Sequence, residues 1–463
     1  MISCWKYLIF TDCIPNESHV EDHGSGNAMR MFAEDGDIFY PTHPVVWILR
    51  IILKSKAHMK YILDSWPAFP IVVRYRGPRS QKSKTKGVNN VIDAPHDYPD
   101  RICRVDLVAP SSILGSLICL FEKPFTALES IHIESNDTTG SPLVIPGTFS
   151  DGSTPRLHNI WLDGISIPFP ALRRVLLSAS GLVFLDLRHI QNPGYFSPEA
   201  LVPVLSDLAQ LRKLTLHFEP PTSRLAQNSR SLPPPQELTT VSSLRRFGFH
   251  GASEYHEDLV SRINLPAFSD LSVSFFNQLI IEIPRLCLFI GLVDALNSPN
   301  EVTVTLSQSH ASISLDRRGA RRRVLGELYF RIGFKQLDWQ LSFIAQIVSQ
   351  LSPLLSNARS LAITRLNISL TNEGDSPDEG RDVDPTQWLE LFQPFNAVQS
   401  VSVAEEFVPD VVQVLGMATD DVPFPALVSL ELQGYRKSSS MQEAAQPIIE
   451  ARQRSGREIN VYG

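Results

Sequence analysis

The chain has 463 residues, 43% hydrophobic and 20% charged, enough apolar material for a sizeable core and too much for a disordered chain. A formal net charge of −7, from 42 basic and 49 acidic residues, argues against a general nucleic-acid binder. Its five cysteines (Cys4, Cys13, Cys103, Cys119 and Cys287) contain no CxxC pair. That argues against a disulfide framework or structural zinc, and for a reducing intracellular compartment, cytoplasmic or nuclear.

The start, "MISCWKYLIF", carries Lys6 inside its apolar run and lacks a cleavage site of small residues, so it does not read as a signal peptide. The run "VVWIL", Arg50, "IIL" is far shorter than the ~20 residues that span a bilayer, and no membrane association is expected. The first 45 residues show no periodicity, so residues 1–60 are expected to be a poorly ordered segment.

From there a pattern of apolar-x-x-apolar-x-apolar recurs. Its eleven copies are Ile102/Val105/Leu107, Leu128/Ile131/Ile133, Leu157/Ile160/Leu162, Leu182/Leu185/Leu187, Leu211/Leu214/Leu216, Leu244/Phe247/Phe249, Phe268/Leu271/Val273, Leu325/Leu328/Phe330, Ala358/Leu361/Ile363, Val398/Val401/Val403 and Leu427/Leu430/Leu432. "EVTVTL" (301–306) is a looser strand. From third apolar position to third, the early intervals are 26, 29, 25, 29, 33 and 24 residues. Sandwich hairpins turn every ~8–12 residues. The longer interval has room for strand, turn, helix and return loop, the unit of a leucine-rich-repeat array with a period of about 20–29 residues. The expected fold is therefore α/β: an irregular leucine-rich-repeat solenoid, horseshoe or arc, over residues 61–463.

The connectors agree. In "SPEALVPVLSDLAQ", Ser197 stands as N-cap, Pro198 at the first helical position and Glu199 near the positive helix end, with Leu201, Val204, Leu205 and Leu208 on one face. "DWQLSFIAQIVSQL" and "DPTQWLELFQPF" read likewise. "PFPAL" occurs twice, with "PFTAL" and "LPAF" as variants, and is expected to close a connector just before the next strand. Excursion loops are expected near 78–92, 219–238 and 371–385, where the sequence is basic, Pro/Ser-rich and acidic in turn.

Catalytic signatures are absent: no GxSxG, phosphate loop, GxGxxG or HExxH. No enzyme, cofactor or metal is expected. His256 and Glu257 in "YHEDLVSR" read as a solvated helix start, and "DRRGARRR" (316–323) as a solvated connector. Functional candidates come instead from strand alternation. Residues beside the inward apolar pairs point outward, and they are richest in charge and aromatics at Trp161, Asp163, Asp186, Arg188, His217, His250, Tyr329 and Arg331. On a concave repeat face these form a surface for a protein partner.

Several phrases resemble a known family: "LDSWPAFPIVV" (63–73), "STPRLHNIWLDGISIPFPALRRVLLSASGLVFLDL" (153–187), "GYFSPEALVPVLSDLAQLRKLTLHF" (194–218) and "SEYHEDLVSRINLPAFSDLSVSFFNQLIIEIPRL" (253–286). They are similar to basidiomycete-fungal F-box-like proteins with leucine-rich repeats. The resemblance implies a substrate receptor that joins a cullin ubiquitin ligase through a Skp-type linker and holds an unknown protein substrate. The family's upstream F-box begins with Leu-Pro and ends near a Trp-Arg helix. Residues 1–60 match neither mark, which leaves an eroded F-box remnant there, or a repeat scaffold with no ligase link.

Overall fold

A computed structural model describes residues 6–10, 31–32, 47–51, 64, 70–77, 98–117, 124–137, 143–145, 154–220, 238–276, 278, 280–296, 299–307, 309–318, 324–334, 336–356, 365–370, 384–416, 423–434, 439–454 and 456–462. The chain divides into two compact units, 1–227 and 228–463. The boundary falls where the sequence suggested only an excursion loop within one array. The basic loop near 78–92, and most of the other two expected excursions, lie outside the described residues.

In the first unit the elements run β1 (Lys6–Phe10), β2 (Met31–Phe32), β3 (Trp47–Ile51), β4 (Ile71–Arg76), β5 (Ile102–Ala109), α1 (Ser111–Leu117), β6 (Ser130–Ser135) and β7 (Leu143–Val144). They continue with β8 (Asn159–Asp163), β9 (Ile165–Ser166), α2 (Phe169–Ser178), β10 (Phe184–Ile190), α3 (Pro198–Asp207) and β11 (Lys213–Phe218). The sheet order is β3-β1-β4-β5-β6-β8-β10-β11, parallel throughout, with β2 antiparallel on β3. A second parallel pair, β7 with β9, forms beside it. The described residues of 1–60 are strand, with β1 paired to β4; the rest of the segment expected to be poorly ordered lies outside the described residues.

In the second unit come β12 (Thr239–Thr240), β13 (Arg246–Gly251), α4 (Ser253–Val260), β14 (Ile263–Asn264), β15 (Asp270–Phe275), α5 (Pro284–Leu292), β16 (Glu301–Leu306), β17 (Ala311–Arg318) and β18 (Val324–Ile332). After them follow α6 (Leu337–Ser356), β19 (Arg365–Leu370), α7 (Pro385–Phe392), β20 (Ser400–Ala404), α8 (Val408–Gly416), β21 (Ser429–Gln433), α9 (Ser439–Arg454) and β22 (Asn460–Tyr462). The order β13-β15-β18-β17-β16-β19-β20-β21-β22 is parallel except for β17, which is antiparallel to both neighbours. The pattern Ala311, Ile313, Leu315 has the period of two that makes β17 a strand. Its end carries Asp316, Arg317 and Arg318, so the first three residues of "DRRGARRR" belong to a strand; 319–323 lie outside the described residues.

Every described member of the apolar pattern is buried, which establishes the register. The Leu325 side chain and the whole Ala358/Leu361/Ile363 copy lie outside the described residues; β19 presents Leu366 and Ile368 to the core. Parallel neighbours need a long crossover, and the 24- to 33-residue interval supplies it, with helices in several repeats. Ser197 occupies the N-cap of α3 as expected, but its side chain makes no capping bond. Asp384 does cap α7, accepting from the Thr386 N–H at 2.9 Å. Three Pro-Phe phrases precede strands β6, β15 and β21, whereas "PFPAL" at 168–172 opens α2. Proline suits a first helical turn as well as a connector, so the phrase alone does not choose.

His256 and Glu257 are not solvated. His256 is fully buried against Phe249, 4.8 Å between ring centres, and Phe247, 5.8 Å, and burial lowers its pKa to about 3. Glu257 accepts the N–H groups of Arg285 (2.7 Å) and Leu286 (2.8 Å), so a carboxylate from α4 caps the start of α5. Among the described residues no helix is long and apolar enough to cross a membrane.

Leu185 and Leu214 face each other across β10 and β11 and are at most 1% exposed. Replacing either with alanine is expected to cost ~2–5 kcal/mol in chemical denaturation. A midpoint equal to wild type would contradict the register.

Candidate functional site

The first unit's sheet places one residue from each of β4, β5, β6, β8, β10 and β11 in a continuous row: Arg74, Asp106, His132, Trp161, Asp186 and Thr215, partnered strand to strand. The adjacent row contains Glu134, Asp163 and Arg188. These are the outward positions expected from alternation, yet they are not uniformly exposed. Asp106 is 1% exposed and Asp186 is 0% exposed.

Longer neighbours cover both carboxylates. Arg74 Nε lies 3.0 Å from Asp106 Oδ2, Arg76 Nη2 3.5 Å from the same oxygen, and His132 Nδ1 3.1 Å from Oδ1. Burial alone raises the Asp106 pKa. The hydrogen bond from His132 and the charges of His132, Arg74 and Arg76 outweigh it and hold the carboxyl below its ordinary value. Arg188 forks onto Asp186, Nε donating to Oδ1 at 2.9 Å and Nη2 to Oδ2 at 3.0 Å. That hydrogen bonding raises the Arg188 pKa. Asp186 therefore offers no surface to a partner; its part is to aim Arg188.

Trp161 sits in the middle of this frame, half-buried instead of exposed. The His132 ring lies against it at a tilt, 37° between planes and 4.8 Å between ring centres; the Arg188 guanidinium lies 4.7 Å from its ring centre, and Phe184 is 6.4 Å away. Lys213 Nζ in turn lies over Phe184 at 4.8 Å. A tryptophan and an arginine are thereby held rigidly on one face, with their orientations set before anything binds.

At the end of the row the alternation breaks. In β10 the register shifts between Leu187 and Ile190, so Arg188 and His189 together oppose His217 of β11. His189 has φ +52°, a left-handed conformation rare for a residue with a side chain. Its Nδ1 is 2.5 Å from Asp163 Oδ1, its Nε2 is 3.7 Å from Glu219 Oε1, and its ring centre is 4.5 Å from that of His217. The hydrogen bond to Asp163 raises the His189 pKa against the effect of partial burial. Gly164, at φ +66°, turns the chain directly after Asp163, where a Cβ would meet the Ser135 Cβ at 3.1 Å. Strict alternation sends His189 inward, so sequence reasoning missed it. The signal was a polar histidine at the inward position of "LDLRHI". Glu219 was assigned to an excursion, yet its N–H bonds Ile190 O at 2.9 Å and extends the β10–β11 pairing.

The remaining candidates belong to the second unit. His250 is half-buried, its ring edge-on to Phe276 at 5.4 Å, and pairs in register with Ser274, which pairs with Arg331. Tyr329 pairs with Ser272 and is half-buried; Arg331 is exposed. Serines and threonines dominate these rows across β15–β17, in contrast to the charged and aromatic rows of the first unit. Of the five cysteines two are described, both as free thiols. Burial pushes Cys103 up to about 12 and Cys287 up to about 11, away from the thiolate a nucleophile needs.

No protein-family model matches the chain, and no curated protein matches it significantly. Among solved structures it is similar to the leucine-rich repeat-containing protein LegL7 from Legionella pneumophila. The identity is 14% and the TM-score 0.30, over 80% of this chain and 95% of that one. A likeness at that score carries no argument about function.

The Asp106 cluster has a pH signature. A carboxyl whose folded pKa is depressed stabilises the protein above its unfolded value of about 3.9 and loses that contribution as pH falls through the folded value. Asp106→Asn is expected to cost ~1–3 kcal/mol at neutral pH, less than a fully buried pair because Arg76 is largely solvated. In melts run from pH 7 downward, the gap to wild type should close below about pH 4. A gap independent of pH would contradict the charge network.

Proposed function

We propose that this chain is a non-enzymatic protein-binding module of the leucine-rich-repeat type, with the polar and aromatic face of the first unit as its recognition surface. The observation that carries the reading is Trp161 held between His132 and Arg188, with Asp186 fixing the arginine beneath. Tryptophan and arginine are the residues most enriched at binding hot spots, and a pre-oriented pair loses little freedom on association. The recurring strand interval and the in-register parallel pairing support the repeat assignment. His250, Tyr329 and Arg331 contribute a secondary surface in the second unit. Cysteine usage favours an intracellular setting, cytoplasmic or nuclear.

A finer reading makes the module the substrate receptor of a cullin ubiquitin ligase, joined through a Skp-type linker. It rests on the sequence resemblance alone. The strands at Lys6–Phe10 and Trp47–Ile51, where an F-box would be helical, favour the second reading, a repeat scaffold with no ligase link.

Affinity capture from a cell extract, read by quantitative mass spectrometry, tests the surface. A partner held here should fall at least about tenfold with Trp161→Ala or Arg188→Ala and persist with Glu431→Ala. An identical captured set for all variants overturns the reading. Direct binding of purified Skp-type linker decides between ligase receptor and scaffold.

A further inference from the structure

We propose that His189, His217 and Glu219 bind a borderline divalent transition-metal ion, with Zn2+ as the representative, and that Asp163 orients His189 for it. Two imidazoles and a carboxylate are the donor set such ions take. One ligand atom from each of the three side chains lies within 4.8 Å of the others. Tetrahedral coordination at ~2.0–2.1 Å needs ligand atoms about 3.3 Å apart, so closure requires side-chain adjustment of about 1–1.5 Å.

Three features of the backbone build this convergence. The bulge in β10 turns His189 out of the core and onto the side of His217. The left-handed φ of His189 is the kind of local strain that persists where surrounding structure imposes it, most often at functional sites. Glu219 is held just past β11 by its own N–H on Ile190 O and by the Tyr195 hydroxyl, which donates to its carbonyl.

Asp163 completes the arrangement. It engages Nδ1 of His189, which leaves Nε2 on the side of Glu219. A carboxylate holding the far nitrogen is the usual partner of a metal-bound histidine, fixing its tautomer and ring plane. Side chains of His189 and Glu219 are 45% and 33% exposed, so an ion has access from solvent. Three protein donors leave one coordination position open to water or to an external donor. Metal uptake by the isolated chain neither requires nor excludes a protein partner, so this inference and the binding reading fail separately.

The test is calorimetric titration of tag-free, chelator-stripped full chain with Zn2+, alongside Mg2+. We expect a single Zn2+ per chain and no Mg2+ uptake. His189→Gln and His217→Gln should abolish uptake, Asp163→Asn should weaken it roughly 10–100-fold, and the exposed His158→Gln should leave it unchanged. Circular dichroism checks that each variant is folded. On the wild type itself, Zn2+ should shift the imidazole NMR signals of His189 and His217. Absence of uptake overturns the proposal and leaves His189 paired with Asp163 and Glu219 alone. Uptake that leaves those imidazole signals unmoved overturns it equally.

Discussion

In-register parallel pairing is the constraint on which each unit depends. A strand of five or six residues buries two or three apolar side chains and leaves both edges unsatisfied. Leu185 is buried because Ile160 and Leu214 flank it at the same level on β8 and β10's other neighbour, β11. A one-residue slip of any strand turns its whole apolar set to the wrong face, which is why nearly every pairing keeps strict register.

The same register lines up the polar side chains. Arg74, Asp106, His132, Trp161 and Asp186 become neighbours because each occupies the equivalent position of its own strand. Adjacent strands stand about 4.8 Å apart, close enough for ring stacking and ion pairing but too close for every side chain to be solvated. Small carboxylates lose that competition. Asp106 and Asp186 are covered by arginines and a histidine, and they act by aiming the groups above them.

Where the chain departs from strict repetition, the departures are local. The β10 bulge spends an extra residue to bring His189 beside His217 and Glu219. The hairpin of β17 and β18 reverses direction inside the sheet, so β16 pairs with β19 and β15 with β18, not with each other. Buried Glu257 joins α4 to the start of α5 in place of a local cap. None of the three changes the apolar pattern that organises its surroundings.

Much was legible in the sequence: the strand positions, their buried residues, the crossover length, several helices and the outward row that carries Trp161. All follow from periodicity, because a residue's face depends only on its place in a strand or helix. Tertiary structure decided the rest. It buried Asp106 and Asp186, turned His189 outward, placed His256 among phenylalanines and drew the strands of residues 6–10 and 47–51 into the first sheet. Each of these outcomes depends on which residue lies across the neighbouring strand or helix, 20 or more positions away in several cases. Alternation assigns a residue to a face; the neighbours on that face determine whether it meets water, a charge or a ring.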